Sequence, residues 1–215
     1  SSQYSQIITE MKEFDVLGIT EEDTKRSDMY LGQKKRKELE NKVGDFNEFL
    51  KQMNIEVSVQ KADSFSIPRI SQLILKTNQF NLTTKRYQHE EVSKFSSSDE
   101  KIVECVKVKD KFGDSGIAGT YIIEKKNNEE WIIDTFLLSC RIIGRGIEEI
   151  MMNGIVEEAK LSGIKRIKGE FIPTGKNKPA ENFYEKLGFK KENEFWVFNT
   201  DDTIKKPEHI KVIKN

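Results

Sequence analysis

The stretch WIIDTFLLSCRIIGRGIEE, residues 131–149, decides the fold of this chain. It begins with an almost unbroken apolar run, residues 131–138, which is typical of a strand buried on both faces. Gly144 and Gly146 then interrupt the pattern, and from Ile147 the apolar residues recur at helical spacing. The sequence therefore predicts a strand, a glycine turn and a helix, in that order.

The turn between this strand and this helix has the chemistry of an anion site. A glycine-rich turn that opens a helix leaves several backbone N–H groups unpaired, and the helix dipole adds positive potential there. The spacing Arg-x-x-Gly-x-Gly is weak alone, because glycines also serve simply to turn a chain. Glu148 and Glu149 follow in the first helical turn, where their charge would oppose a bound phosphate. The predicted anion-binding residues are Arg141, Ile143, Gly144, Arg145 and Gly146.

The composition favours a soluble protein with one substantial core. Of 215 residues 36% are hydrophobic, and Lys+Arg and Asp+Glu both number 36, so the formal net charge is zero. This balance gives no bulk electrostatic argument for nucleic acid or an anionic membrane. No transmembrane run or signal peptide is visible, and we expect a cytoplasmic location. Two cysteines and two histidines predict neither a zinc site nor a disulfide framework.

The other segments predict a mixed sheet flanked by helices. Residues 1–54 are highly charged with helical spacing, and apolar and polar residues alternate from Ile55, where the first strand begins. Three consecutive strands joined by short turns, the third of them starting at Trp131, predict an antiparallel meander. The strand after the central helix should run parallel to the third, since a helix crosses over between them. The remaining predicted elements are a helix from Pro68, strands at 102–108, 117–123, 164–172 and 195–198, a helix from Pro179 to Leu187 and a polar, loosely held tail from Asp201.

One further segment, KTNQFNLTTKRY at residues 76–87, concentrates amides, hydroxyls and cations around two apolar residues. One interpretation is a helix end followed by a short helix up to Phe95, with Thr83 or Thr84 as its N-cap. The other interpretation is that the segment lines a binding site. Composition alone favours neither.

The order of these elements resembles the GCN5-related N-acetyltransferase (GNAT) fold. Arg141-x-x-Gly144-x-Gly146 lies where that family has its pyrophosphate loop. Asn177-x-x-Ala180-x-x-Phe183-Tyr184-x-x-x-Gly188-Phe189 resembles the family's closing helix. The resemblance covers about residues 55–199. It implies an α/β (α+β) fold with a mostly antiparallel sheet flanked by helices, here with an N-terminal helical extension.

A closer resemblance is to the C-terminal half of the FkbH-like proteins, which couple a haloacid dehalogenase (HAD) type domain to a GNAT-like domain. That family is associated with loading a glyceryl unit, derived from a phosphorylated glycerate, onto an acyl carrier protein for polyketide extension. The chain has no Asp-x-Asp phosphatase motif, so we expect no phosphatase activity from it. We interpret residues 1–54 as a helical linker from a missing upstream HAD-type domain, 55–200 as the acyltransferase domain and 201–215 as a tail. The stretches that carry the resemblance are residues 76–87, 110–114, 139–145 and 174–177.

The resemblances imply an acyltransferase that binds coenzyme A or a phosphopantetheine thioester. Tyr184 matches the tyrosine that can protonate the departing thiolate, although packing against Phe183 explains it equally well. Asn177 would donate to the pantetheine arm or cap a helix. Asp134 and Glu170 are the candidates for a general base. The residues expected to engage the acceptor are Lys76, Asn78, Gln79 and Asn81.

Other readings of the same residues stay open. Cys140 stands just before the glycine turn and could carry an acyl group, but we favour a buried structural thiol. The chain could also be a non-catalytic module that receives the pantetheine arm of a carrier protein. A third possibility is a structural domain that packs against the HAD-type domain. We expect no metal, no nucleic acid and no membrane among its partners.

Overall fold

The structure, a computed structural model, describes residues 21–213, with side chains from Asp28. The sequence pattern within residues 1–20 lies outside this range. The helices are α1 (Glu21–Val43), α2 (Phe46–Gln52), α3 (Ile67–Lys76), α4 (His89–Ser96), α5 (Ile147–Leu161) and α6 (Phe183–Lys186), with a 3₁₀ helix at Lys178–Ala180. The strands are β1 (Ile55–Lys61), β2 (Phe80–Asn81), β3 (Lys101–Asp110), β4 (Gly113–Lys125), β5 (Glu130–Leu138), β6 (Arg166–Gly169), β7 (Lys190–Glu192), β8 (Phe195–Asn199) and β9 (Ile210–Ile213).

The nine strands found within residues 21–213 belong to one sheet. Its main order is β7-β8-β6-β5-β4-β3-β1-β9, and β2 pairs with β5 off this path. Only β5–β6 and β1–β9 are parallel pairs within the described sheet, as the crossover through α5 predicts for the first of them. The predicted fold class, a mostly antiparallel sheet flanked by helices, is confirmed, and so is the meander of β3, β4 and β5.

Helices cover both faces of the sheet because successive strand side chains point in opposite directions. In β4, Tyr121 and Ile123 belong to the core that contains α5, whereas Ile122 packs among the residues of α3 and α4. The N-terminal segment joins the first of these cores, since Phe49 and Met53, in α2 and at its end, are buried there. No helix among residues 21–213 is long and apolar enough to cross a lipid bilayer.

Several local predictions differ from the structure. The prediction of a loosely held tail from Asp201 is wrong, because Ile210–Ile213 forms β9 and pairs in parallel with β1. A four-residue strand shows too little alternation to be read from sequence, and the unpaired edge of β1 decides its position. The N-cap of α4 is Gln88 rather than Thr83 or Thr84, and its N–H donates to Oε2 of Glu91 at 2.8 Å.

Candidate functional site

The glycine turn adopts the backbone conformation that its sequence predicts. Gly144 has φ +75° and Gly146 has φ +87°, values that residues with a Cβ rarely adopt. A Cβ on Gly146 would also lie 2.8 Å from Cγ of Pro207, so the segment before β9 packs directly on the turn. The Nε2 atom of His209 lies 2.8 Å from the carbonyl oxygen of Arg145. The turn is therefore in place, but the chain's own C-terminal segment covers one side of it.

A carboxylate of the chain already occupies the turn. The N–H group of Gly144 donates to Oε1 of Glu148 at 3.1 Å. Glu148 is buried, and its other oxygen has no hydrogen-bond partner among the described residues. Burial, together with the neighbouring Glu149, raises the pKa of Glu148 to about 7. The site predicted to receive an anion thus contains a buried acid.

The positive charge expected at the turn is partly engaged elsewhere. Arg145 pairs with Asp110 through Nη1 and Oδ2, 3.5 Å apart. Asp110 in turn accepts two hydrogen bonds from Arg36 of α1, at 2.8 and 2.9 Å. Burial and the adjacent Arg36 lower the pKa of Arg145. Arg141 donates to Ser139 Oγ at 3.4 Å and lies beside the sulfur of Met29.

The two parallel strands next to the turn diverge, and the chain itself fills the space between them. β5 and β6 pair only as far as Ile133 and Gly169. Beyond that point β2 pairs with β5 in antiparallel register, with Phe80 opposite Leu138 and Asn81 opposite Leu137. We call the space beyond Ile133 and Gly169 the wedge, and residues 80–83 the wedge segment.

Hydrogen bonds hold the wedge segment on both sides. Toward β5, Leu82 N–H donates to Phe136 O at 3.1 Å, and Thr83 Oγ1 donates to Asp134 O at 2.8 Å. Toward the chain after β6, Ile172 N–H donates to Leu82 O at 2.9 Å. Residues 80–83 are all buried. The wedge is accordingly an integral, closed part of the sheet.

Two residues that were predicted to bind a ligand instead hold the wedge segment in place. Asn177 donates its amide hydrogens to Asn81 O at 3.0 Å and Ile172 O at 2.9 Å, and its Oδ1 accepts from Thr174 N–H at 2.7 Å. Its amide therefore has no hydrogen left for a pantetheine arm, which corrects that expectation. Asn81 is buried, and its side chain bonds to Thr77 O and Thr84 N–H, so it too supports the backbone.

The two predicted catalytic residues lie at the wedge and are enclosed. Asp134 is buried and accepts from Lys85 Nζ at 2.8 Å and from the Tyr87 hydroxyl at 3.2 Å. Burial and this carboxylate raise the pKa of Tyr87. Tyr184 is fully buried, its hydroxyl has no partner among residues 28–213, and a Cβ on Gly169 would clash with that hydroxyl. Burial raises the pKa of Tyr184, chiefly by disfavouring the charged phenolate.

An open pocket lies beside the wedge, between the end of α3 and the start of the glycine turn. It has a volume of about 350 Å³. Three of the four residues predicted to engage an acceptor line it, and the prediction that Cys140 is buried is wrong, because this thiol is exposed. We call this space the Cys140 pocket. Its lining residues are Arg69, Gln72, Leu73, Lys76, Thr77, Asn78, Gln79, Ser139 and Cys140.

Part of this pocket went unpredicted although the sequence contains a signal for it. Arg69, Gln72 and Lys76 follow the spacing i, i+3, i+7, which puts them on one side of α3. Arg69 donates to the carbonyl of Ile117 at 3.3 Å and also bonds to Gln72. Burial and the nearby Arg141 lower the pKa of Arg69. The polar face of α3, which these three residues form, is therefore the sequence signal for this wall of the pocket.

A second cavity, of about 670 Å³, lies between α1 and the turn that joins β3 to β4. Three cations, Lys35, Arg36 and Arg141, border it together with two acids, Asp28 and Asp114. No group of three His, Cys, Asp or Glu side chains suited to a metal ion occurs in the part of the chain that the structure describes.

Coenzyme A, which the family resemblance implies, does not fit this arrangement. Its pantetheine arm, lying along β5, would meet residues 80–83, which already bond to that strand. Its diphosphate would need the N–H of Gly144, which a buried glutamate accepts. Gly144 itself leaves room, since nothing lies within 4 Å of where its Cβ would stand. The turn therefore has the shape of a phosphate site, but one of its donors, the Gly144 N–H, is already taken.

Comparison with protein families gives one match. The profile of the acetyltransferase (GNAT) family matches residues 68–189, more than half of the chain. The match runs from α3 to the turn after α6, and thus includes the wedge, the Cys140 pocket and the glycine turn. No curated protein matches the chain in sequence.

Solved structures of acetyltransferases share the fold at low sequence identity. The ribosomal-protein-S18-alanine N-acetyltransferase from Escherichia coli is 9% identical, with a TM-score of 0.53 over 67% of this chain and 94% of that one. The spermidine N-acetyltransferase from Vibrio cholerae, in complex with CoA and spermine, is 11% identical, with a TM-score of 0.52 over 67% and 96%. An acetyltransferase of the GNAT family from Staphylococcus aureus Mu50 is 14% identical, with a TM-score of 0.51 over 67% and 99%.

Proposed function

The chain belongs to the GNAT acetyltransferase family, and on that basis we propose that it exchanges an acyl group between a pantetheine thiol and Cys140. The observation that carries the proposal is the Cys140 pocket. It places an exposed thiol among Lys76, Asn78 and Gln79, three residues for which a substrate-binding role is predicted independently. Transferase activity is the activity of this family, and the pocket supplies a place for it.

The proposed step is a thioester exchange. The sulfur of Cys140 attacks the acyl carbonyl carbon, a new C–S bond forms, and the C–S bond to the pantetheine sulfur breaks. The departing pantetheine sulfur takes up the proton that the thiol of Cys140 gives up, so atoms and charge balance. The same step in reverse loads the acyl group onto the pantetheine thiol. No oxidant or reductant is required.

The pocket lining suits a polar acyl group. Arg69 and Lys76 bring positive charge, while Gln72, Asn78 and Gln79 bring amide donors and acceptors. A hydroxylated acyl group such as a glyceryl unit offers oxygens for these groups to bind, and charge-assisted bonds are the stronger ones. An acyl chain without hydroxyls would leave the free amide groups to water. The volume of about 350 Å³ is enough for a group of this size.

The closer resemblance supplies the partners of the proposal. As in the FkbH-like proteins, the pantetheine arm would be that of an acyl carrier protein, and the acyl unit would come from an upstream HAD-type domain. The place of action would be the cytoplasm. The wedge segment and six of the nine residues that line the Cys140 pocket lie within residues 76–87 and 139–145, which are stretches that carry this resemblance.

Intact-protein mass spectrometry tests the step. The protein is incubated with the glyceryl thioester of N-acetylcysteamine, a short pantetheine mimic that has no phosphate. We expect a mass increase of one glyceryl group in the parent protein and in Cys105→Ala, which lacks the buried cysteine. Cys140→Ser should show no increase. Labelling that survives in Cys140→Ser would contradict the proposal.

A matched pair of lysines tests the pocket itself. Lys76 and Lys94 both lie exposed in the last turn of a helix, so each has the same favourable interaction with the helix dipole. Only Lys76 lines the Cys140 pocket. Lys76→Ala should slow labelling about tenfold, the size expected for losing a charge-assisted hydrogen bond. Equal rates for Lys76→Ala and Lys94→Ala would remove the pocket from the reaction.

One observation favours a second candidate, a non-catalytic module that receives a pantetheine arm. Tyr184 and Asp134, the residues predicted to be catalytic, are buried at the wedge and do not line the pocket. A module of this kind would bind the N-acetylcysteamine thioester, as measured by calorimetry, without any labelling of Cys140. The mass-spectrometric experiment therefore separates the two candidates.

A further inference from the structure

We infer that Glu148 keeps the diphosphate of coenzyme A out of the glycine turn, and that the wedge segment closes β5 to a pantetheine arm from any carrier. The inference rests on the proposed function for the thioester chemistry, and it leaves the open Cys140 pocket as the place where a pantetheine thiol reacts. The arm of a carrier protein lacks the diphosphate, because a single phosphodiester joins it to the protein surface.

The wedge segment closes β5 to a pantetheine arm, whether that arm belongs to coenzyme A or to a carrier protein. An extended ligand lying along β5 would need the backbone groups of residues 134–138 that face the wedge. The carbonyls of Asp134 and Phe136 already accept from Thr83 and Leu82. Phe80 also packs edge-on against Phe183, with ring centroids 5.2 Å apart, and lies next to Phe136. A ligand would therefore have to break backbone pairing and remove a buried aromatic ring from the core.

Glu148 excludes the diphosphate from the glycine turn. Its Oε1 accepts a hydrogen bond from the N–H of Gly144, and its other oxygen is buried beside Glu149. A diphosphate at the same N–H would lie against this carboxylate, and like charges at hydrogen-bond distance repel strongly. Arg145 is paired with Asp110, and Lys186, which acts on both acids, does not cancel their charge, because the pKa values of both Glu148 and Glu149 stay raised.

The C-terminal segment closes the remaining side of the turn. Pro207 would contact a Cβ on Gly146 at 2.8 Å, and His209 lies against the carbonyl of Arg145. β9 then anchors this segment to β1. Close approach of a ligand to the backbone of Gly146 from this side would require the segment to move. The Cys140 pocket, by contrast, is open without any rearrangement.

Calorimetry on matched variants tests the role of Glu148. Inorganic diphosphate and coenzyme A are titrated at about pH 8, where an ionised glutamate is expected. We expect no measurable binding of either to the parent protein at millimolar concentration. Glu148→Ala, which frees the Gly144 N–H, should bind inorganic diphosphate at least about tenfold more tightly than the parent protein, about 1.4 kcal/mol. Glu149→Ala, which removes the adjacent acid without freeing that N–H, should not.

Two outcomes would overturn the inference. One is binding of coenzyme A to the parent protein at micromolar concentration. The other is a gain in diphosphate affinity that Glu149→Ala shares in full. If circular dichroism shows Glu148→Ala to be unfolded, Glu148→Gln takes its place, with removal of the charge as the quantity tested. All of these readouts measure binding alone, so they fail or succeed independently of the labelling of Cys140.

Amide hydrogen exchange tests the wedge segment in the unmodified protein. The N–H groups of Leu82 and Ile172 are hydrogen-bonded across the wedge, so both should exchange slowly. We expect millimolar coenzyme A to leave their rates unchanged. Faster exchange at both positions in its presence would mean that the coenzyme displaces the wedge segment, and the inference would fail.

Discussion

The Cys140 pocket and the wedge lie side by side, and one stretch of sequence contributes to both. Residues 76–79 line the open pocket, whereas residues 80–83 are buried between β5 and the chain after β6. The change from pocket lining to buried core occurs between Gln79, which is exposed, and Phe80, which is only 3% exposed. Polar residues occur on both sides of this point, so polarity alone does not mark a binding residue. What differs is whether each polar group bonds to the protein or faces open space.

The comparison also separates two kinds of asparagine. Asn81 and Asn177 use their amides to hold backbone groups at the wedge. Asn78 lines the pocket, where its Oδ1 accepts from Arg86 at 2.6 Å and its amide nitrogen is left for other partners. From the sequence alone, all three asparagines are reasonable candidates for binding a ligand. Only the positions whose hydrogens are not consumed internally can serve a ligand.

The largest expected effect comes from truncating the residue at the boundary. Phe80→Ala should lower the free energy of unfolding by about 3–5 kcal/mol, because it leaves a cavity between Phe136 and Phe183. Gln79→Ala, one residue earlier, should change it by less than about 0.5 kcal/mol. Denaturant unfolding followed by circular dichroism measures both. Similar costs for the two variants would show that the boundary between pocket and wedge is drawn in the wrong place.

A smaller effect is expected from pH, through Glu148. Its pKa is raised to about 7 in the folded protein from a reference value of 4.5, so the native state keeps a proton that the unfolded chain has released between these values. The free energy of unfolding should therefore fall as pH rises through this window, by about 3 kcal/mol at most. Glu148→Gln should remove most of this dependence. Thermal unfolding between about pH 5 and pH 8 checks it.

Glu149 and Lys186 also act on the pKa of Glu148, and Lys186 and His209 act on that of Glu149, so the variant is needed to assign the effect. A parent protein whose melting temperature rises across the same window would contradict the buried-acid arrangement. The same slope in the parent and in Glu148→Gln would assign the dependence to other groups.

The smallest expected effect concerns Tyr184. Tyr184→Phe removes a buried hydroxyl that has no partner in the described structure, so the free energy of unfolding should stay the same or rise by up to about 1 kcal/mol. The rate of Cys140 labelling should not change. If Tyr184 instead acts as a general acid, the rate should fall on the order of a hundredfold while stability changes little. Parallel measurement of rate and stability distinguishes a packing role from a catalytic one.

Strong local patterns predicted most of the fold. The apolar run at residues 131–138 became β5, and the helical spacing after Gly146 became α5. Pro68 lies in the first turn of α3, as its fixed φ predicts. By contrast β2, with two residues, and β9, with four, are too short for any periodicity to show. Their places depend on which strand edges are left open in the sheet.

The sequence by itself determined the order of elements, the glycine turn with its two positive φ values, and the segment 76–87 as a place of unusual chemistry. Only the tertiary structure decided which groups remain free to bind. Backbone conformation and amphipathic spacing are local properties that neighbouring residues set. Satisfaction of a hydrogen-bond donor depends on partners distant in sequence, as when Asn177 reaches Asn81, 96 residues away. For this reason the same sequence predicts the shape of a phosphate site, and the folded chain fills it with its own carboxylate and its own strand.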